Sequence, residues 1–585
     1  MAVLAPGGGA AIAAQQQEEQ RVDRAAAEET ALGAVPDPRD SSTVATSPFS
    51  AAGYNRASVP SERRGGRMTR EAVESVLERA DELIVAAMNE RTTAGLGVGV
   101  VNGSETLYAK GFGLADVERG SPVTPKTVFR IGSITKTMTA IGLMRLWERG
   151  RFDLDDPVND YLRGYRVEHP DPAAPPVTFR HMLTHTSGIG ELRKMTDLFR
   201  PMSGLGAKPD GPAPSPEESY ARGLRPSVYP GTKWVYANRA YNVLGQLVED
   251  ISGVPFAGYM RENVFVPLGM QNTDYLRSER VREGLAQGYN FFRGRLKLVK
   301  YTEIVVRGAG SVFSSVDDMC RYVAALLRGG ANEHGRVLEP ETLSPMMESH
   351  YRLDERLPAM GLAFLLDAFD GHLIAGHDGG WPGFLSSMLL CPEEELGVVV
   401  FVNASSLAAQ EAAQDLMEAM LDVPEPASRL PKKGILESPH LWSELRGFYG
   451  PVGPLNTNSR AWLMYAGELE VLVEDNHLAM RTLVGPLRKG VRLYPMDPSD
   501  PLAFEAVHED QTFRVVFERD AGSGRADHLL VGFDKLRKRP MVRSLRLKAM
   551  AGLGAGAGAV LATAAWQGLE RLSRPSGGSG GNGGA

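Results

Sequence analysis

Apolar residues recur at helical spacing through Val73, Val76, Leu77, Ala80, Leu83, Ile84 and Ala87, which predicts a helix over Thr69–Arg91 with Thr69 as its cap. A second such stretch, Ile134–Arg149, ends at Gly150. Thr178–Leu183 reads as a helix start capped by Thr178, and Tyr241–Ile251, Ser315–Leu327 and Ala408–Leu421 read as further helices. Gly95–Val101 and Leu107–Gly113 flank the turn Asn102-Gly103-Ser104 and predict a hairpin. His372–Ala375, Leu385–Cys391 and Gly397–Asn403 are late strands. This order predicts an α+β fold: one antiparallel sheet flanked by helices, with an all-helical lobe.

The pattern changes after residue 425. Residues 426–439 read as a linker. Leu469–Glu474, the turn Asp475-Asn476 and His477–Arg481 then form a hairpin, and Phe513–Arg519 and Leu529–Phe533 are short strands. The expected division is 68–425 for the main domain and 440–545 for a small all-β domain. Residues 1–67 lack the apolar content for a core, and 546–585 run from a basic stretch into Ala/Gly and Gly/Ser sequence; both read as disordered ends. The Pro/Gly-rich segment 201–216 reads as a loop within the main domain.

Composition narrows the function. The 585 residues carry 64 basic and 71 acidic side chains, a net charge of −7 with no basic footprint for nucleic acid. The two cysteines, Cys320 and Cys391, exclude a disulfide scaffold and a Cys-rich zinc module, and read as buried thiols. The 65 glycines and 38 prolines exceed the ordinary share of about 12% for the pair. Part of that surplus sits in the ends and part beside the chemistry.

Three short stretches carry that chemistry. In Phe129-Arg130-Ile131-Gly132-Ser133-Ile134-Thr135-Lys136, Ser133 and Lys136 stand three apart at a helix start, on one face and within mutual reach. A serine hydroxyl needs a nearby base to act as a nucleophile, and a desolvated lysine can be one. Of the 14 lysines, only Lys136 has a serine three positions before it. Tyr236-Ala237-Asn238 places a phenol and an amide on one side of an extended turn. Gly376-His377-Asp378-Gly379-Gly380-Trp381 reads as a Gly-rich turn between two strands, where backbone can approach a ligand and offer an N–H to an oxyanion.

In this order and spacing the three motifs resemble those of the serine β-lactamase and penicillin-binding-protein superfamily, in its class C-like branch. Leu154–Val158, His181–Gly188 and Gly308–Ser311 leading to Asp317-Asp318 are similar to family stretches too, so the resemblance spans about 68–425. It implies the β-lactamase/transpeptidase-like fold and an acyl-enzyme mechanism. Ser133 would be acylated, Lys136 and Tyr236 would share proton transfer, and Asn238 would orient the lysine and the substrate. His377 would take the place of the family's third-motif lysine. The N–H groups of Ser133 and Gly380 would form the oxyanion hole, and Asp378, Gly379 and Trp381 would contact substrate. The third motif departs from the family's Lys-Thr-Gly. Neutral His377 supplies less positive field than lysine, and Asp378, if it points into the site, would repel a substrate carboxylate. The expected activity is therefore hydrolysis of small-molecule esters or amides or D-amino acid peptides. The alternatives are β-lactamase or D-alanyl carboxypeptidase activity, and a catalytically idle binding protein of the same fold.

No cofactor or metal is expected. His181 and His185 stand at i, i+4, but neither a following glutamate nor a third ligand is evident. Gly577–Gly581 matches a nucleophile elbow only formally, lacking a strand before it and a helix after it. Met1–Ala14 does not read as a secretory signal. Residues 549–566, preceded by a basic run, are the one candidate for weak membrane association. The expectation is a cytoplasmic or C-terminally membrane-associated protein.

Overall fold

A computed structural model describes residues 69–424 apart from 193–196, 198–203, 208–212 and 293–294, and residues 439–544 apart from several short gaps. The predicted ends, the linker over 426–438, half of 201–216 and the segment 549–566 lie outside the described residues. Among the described residues no helix is long and apolar enough to cross a membrane. The chain divides into two compact units, one up to Arg429 together with Gly453–Ser459, the other comprising the remainder from Leu430.

The first unit is built on a nine-stranded antiparallel sheet. Its strands are β1 (Gly95–Asn102), β2 (Glu105–Asp116), β3 (Ser121–Pro122), β4 (Tyr351–Arg352), β5 (Ala359–Met360), β6 (Leu365–Phe369), β7 (His372–Trp381), β8 (Phe384–Cys391) and β9 (Leu396–Val402). They lie in the order β3-β2-β1-β9-β8-β7-β6-β5-β4. Fully buried β9 lies inside the sheet between β1 and β8, and its Val/Phe run has the two-sided apolar character that a covered strand needs.

One face packs on α1 (Arg70–Leu77), α2 (Ala80–Glu90) and a C-terminal helix, Ala408–Met420. The predicted single helix over 69–91 is thus two. The buried positions Val73, Ala80, Ile84 and Ala87 keep helical spacing across the break, so spacing alone cannot show it. Thr69 does cap, its side chain accepting the Ala72 N–H at 3.3 Å.

The other face carries the lobe around α3 (Thr135–Glu148), α4 (Asn238–Ser252) and α5 (Val316–Leu327). α3 is buried on nearly every side rather than amphipathic. Its threonines are tolerated because each is satisfied: Thr137 donates to the Ile134 carbonyl at 2.8 Å, Thr139 to the Gly308 carbonyl at 2.7 Å, and Thr135 accepts the Val312 N–H at 3.2 Å.

The second unit opens with a short helix, Pro439–Leu445, and closes eight strands into a barrel. The first strand, Gly447–Pro451, pairs with the last, Asp534–Arg539, so no edge is left open. Asp475 and Asn476 take positive φ (47° and 64°) in the predicted hairpin turn, as a type I′ turn requires.

Candidate active site

Ser133 sits in a single 3₁₀ turn, Gly132–Ile134, that feeds directly into α3. It is half-buried, while Lys136 one turn on is completely buried. Lys136 Nζ lies 2.9 Å from Ser133 Oγ, 2.7 Å from Asn238 Oδ1 and 2.8 Å from the Ala309 carbonyl. Asn238 is the first residue of α4, and Ala309 belongs to a short helix, Arg307–Gly310, packed on α3 and α4. The amide of Asn238 is oriented from behind, since its Nδ2 donates to Glu191 Oε1 at 2.8 Å and so turns Oδ1 toward the lysine. Arg239 Nε in turn donates to the Glu191 carbonyl at 3.1 Å and its guanidinium pairs with buried Asp197 at 3.5 Å.

Tyr236 lays its ring against the lysine, with Nζ 4.8 Å from the ring centroid, and a second ring, Tyr241, lies 5.6 Å away. His185 holds Tyr236 in place. Its backbone is left-handed (φ 58°), its carbonyl accepts the Val235 N–H at 2.7 Å, and its Nδ1 accepts the Ala237 N–H at 3.1 Å. The two rings lie 4.4 Å apart. His181 Nδ1 likewise accepts a backbone N–H, that of Thr178, at 3.2 Å. Both histidines therefore spend a ring nitrogen on the backbone, and their i, i+4 spacing falls where the helix Phe179–Leu183 has already ended.

The third motif is not a turn. It runs through the extended strand β7, whose register with β8 is unbroken from Ala375 to Trp381. Successive side chains therefore alternate between the two faces of the sheet. His377 and Gly379 face the helical lobe. The His377 ring stands 6.2 Å from that of Tyr236, and its Nδ1 donates to the Asp378 carbonyl at 2.6 Å. That bond puts the proton on Nδ1 and leaves Nε2 as the lone-pair nitrogen of the neutral ring. A side chain at Gly379 would overlap the Ile131 carbonyl oxygen, and one at Gly132 (φ 50°) would overlap the Gly380 amide nitrogen. The nucleophile turn and this strand thus meet backbone to backbone, which only glycine permits.

Asp378 points to the opposite face. Its Oδ1 accepts the Ser387 hydroxyl at 2.7 Å across the β7–β8 pair. The protein around it pushes its carboxyl up to about 6 by desolvation, although the residue keeps an open surface to solvent. The expectation that Asp378 contacts substrate is therefore corrected, and its proposed repulsion of substrate carboxylates falls with it. Trp381 is mostly buried, its ring 4.7 Å from the guanidinium of buried Arg130. It also lines, with Gly380, Pro382, Phe291 and Lys297, a cavity of about 710 Å³.

The structure brings Ser133, Lys136, Tyr236, Asn238, His377, Gly379 and Gly380 to one place. Sequence reasoning missed Glu191, the Ala309 carbonyl, His185 as the support of Tyr236, and Arg130. The signals for the first three lay in the family-like stretches around 181–188 and 308–311, which contain or border them. Arg130 adjoins the nucleophile turn, but nothing local marks it as the partner of Trp381.

Comparison with known proteins identifies the family. The Beta-lactamase family model matches residues 80–419. The chain is similar to esterase EstB of Burkholderia gladioli, at 29% identity over 329 residues, covering 52% of this chain and 82% of that protein. It is similar to unguisins hydrolase ungD' of Aspergillus campestris, at 28% identity over 362 residues, 58% of this chain and 65% of that one. The solved octameric penicillin-binding protein homologue from Pyrococcus abyssi superposes with a TM-score of 0.53 at 25% identity, covering 79% of this chain and 100% of that one.

Proposed function

Because the chain belongs to the Beta-lactamase family and is a serine hydrolase of that family, we propose that it cleaves ester or amide bonds of small molecules or D-amino acid peptides through an acyl-enzyme on Ser133. The observation that carries this reading is the set of three acceptors around Lys136 Nζ. Asn238 Oδ1 and the Ala309 carbonyl can only accept, so they take two of the N–H bonds of Lys136 and fix the direction of the third Nζ position. The third Nζ bond runs to Ser133 Oγ, and once the amine has shed that proton its lone pair can face Ser133 Oγ and take the hydroxyl proton.

In the first step Ser133 Oγ attacks the substrate carbonyl carbon as its proton passes to Lys136. The new oxyanion sits against the N–H groups of Ser133 and Gly380. The bond to the alcohol or amine then breaks, and the leaving group takes the proton from Lys136 through Tyr236, whose ring lies 4.8 Å from Lys136 Nζ and 6.2 Å from the His377 ring. Water attacks the ester of Ser133, releases the acid and returns the proton, restoring the resting pair. Glu191 acts through Asn238 as a positioning residue.

Two observations support esters and amides over β-lactams. His377 stands where the family's lysine would supply a fixed positive charge, and a relative covered over 82% of its length is named an esterase. The test compares kcat/KM for p-nitrophenyl esters and nitrocefin on one preparation. The esters should turn over faster; a nitrocefin rate far above the ester rate would overturn the ranking in favour of β-lactamase activity. An idle binding protein would turn over neither.

A further inference from the structure

The sheet face turned away from Ser133 carries a group of side chains that hydrolysis does not use. β7 begins at His372 and β8 ends at Cys391. Their register sets Ala375 opposite Leu390, so one further step sets Ile374 opposite Cys391, with His372 two residues along on the same face. The 3₁₀ turn Pro392–Glu394 then folds two carboxylates onto the imidazole. Glu393 Oε1 accepts the Leu373 N–H at 3.2 Å and lies 3.4 Å from His372 Nδ1; Glu394 Oε1 lies 3.8 Å from the same nitrogen. One ligand atom from each of His372, Cys391 and Glu393 falls within 4.8 Å of the others.

The setting suits a cation. Cys391 is fully buried and in no disulfide, and the Glu394 side chain is 2% exposed. His372 Nδ1 is enclosed and makes no hydrogen bond. Carboxylates packed this closely on an enclosed nitrogen favour positive charge among them, which a bound cation supplies. Thiolate, imidazole and carboxylate are together the ligand types that divalent zinc takes, and the 3.4 Å between His372 Nδ1 and Glu393 Oε1 is close to an edge of its tetrahedron.

We infer that His372, Cys391 and Glu393 bind a zinc-class divalent cation. Binding displaces the thiol proton of Cys391 to solvent, so affinity rises with pH. The site ties the end of β8 to the start of β7. It lies five residues along β7 from His377, roughly 17 Å away, and is separate from the hydrolytic chemistry.

The test is titration of the chelator-treated full-length protein with cobalt(II), followed by absorbance. One equivalent should produce a thiolate-to-cobalt charge-transfer band and tetrahedral d–d bands, which zinc then bleaches. Cys391→Ser should abolish the charge-transfer band, whereas Cys320→Ser should keep it. Should Cys391→Ser fail to fold, Glu393→Gln and His372→Gln serve in its place, each weakening cobalt binding by more than about tenfold. Absence of the band in wild type, its survival in Cys391→Ser, or unchanged affinity in the other two variants would overturn the inference.

Discussion

The interiors of the two units are built on different terms. The barrel closes around aliphatic and aromatic side chains such as Tyr449, Leu493, Phe504, Phe517 and Leu529. Its buried carboxylate Glu468 accepts the Ser544 hydroxyl, and none of its described lysines is buried. The first unit instead buries Lys136, Asn238, Arg239, Glu191 and Asp197 in one connected group beneath Ser133. Lys136 is the only buried lysine among the described residues. Burying such groups opposes folding unless every donor and acceptor is met, and around Lys136 the partners are three acceptors within 3 Å. The difference locates the chemistry: one interior only holds a shape, the other also holds a proton donor and acceptor where a substrate can reach Ser133.

That contrast can be broken at several depths. Lys136→Met should cost the most. It removes the base and strands Asn238 Oδ1 and the Ala309 carbonyl, so ester turnover should fall by about 10²–10⁴-fold, with a loss of stability of about 1–3 kcal/mol per stranded group. Steady-state kinetics and denaturant melts read the two effects separately. Next is Phe517→Ala in the barrel, whose ring lies 6.0 Å from Tyr449 and 5.6 Å from Phe504. It should destabilise the second unit by about 3–5 kcal/mol while leaving the rate of acylation by a fluorophosphonate probe unchanged. A lost acylation rate at temperatures where the first unit stays folded would refute the division of labour.

Glu191→Gln should be milder. It retains size and burial but lets the Asn238 amide turn, so kcat should fall about 10- to 100-fold with KM nearly constant; a pure loss of stability with normal kcat would make Glu191 structural only. The smallest effect belongs to Asp378. Its folded carboxyl is pushed up from 3.8 to about 6, so the folded state holds the proton more tightly than the unfolded chain does. Stability should therefore decline as pH rises from about 4 to about 6, and Asp378→Asn should flatten that part of the melting-temperature profile without altering ester kinetics.

What the sequence revealed and what it hid divide on range. Ser133 and Lys136 are neighbours on one helical turn, so their pairing was legible from spacing alone. The α+β order and the hairpin over Leu469–Arg481 were legible for the same reason. Glu191 stands 47 residues from Asn238, and no local pattern announces the bond between them. The Ala309 carbonyl has no side-chain signature at all. The third motif was misread because glycines suggest a turn; once it is a strand, simple alternation separates His377 from Asp378. Barrel closure depends on the first strand finding the last, some ninety residues on, which periodicity does not encode.

Everything proposed for the first unit turns on Ser133 being the residue acylated. Incubating wild type with a slowly released ester or a fluorophosphonate, then mapping the adduct by intact-protein and peptide mass spectrometry, tests it most directly. Acylation at Ser133 gives a single adduct on the peptide containing Ser133, lost in Ser133→Ala together with ester turnover. An adduct on any other residue, or turnover that persists in Ser133→Ala, would contradict it.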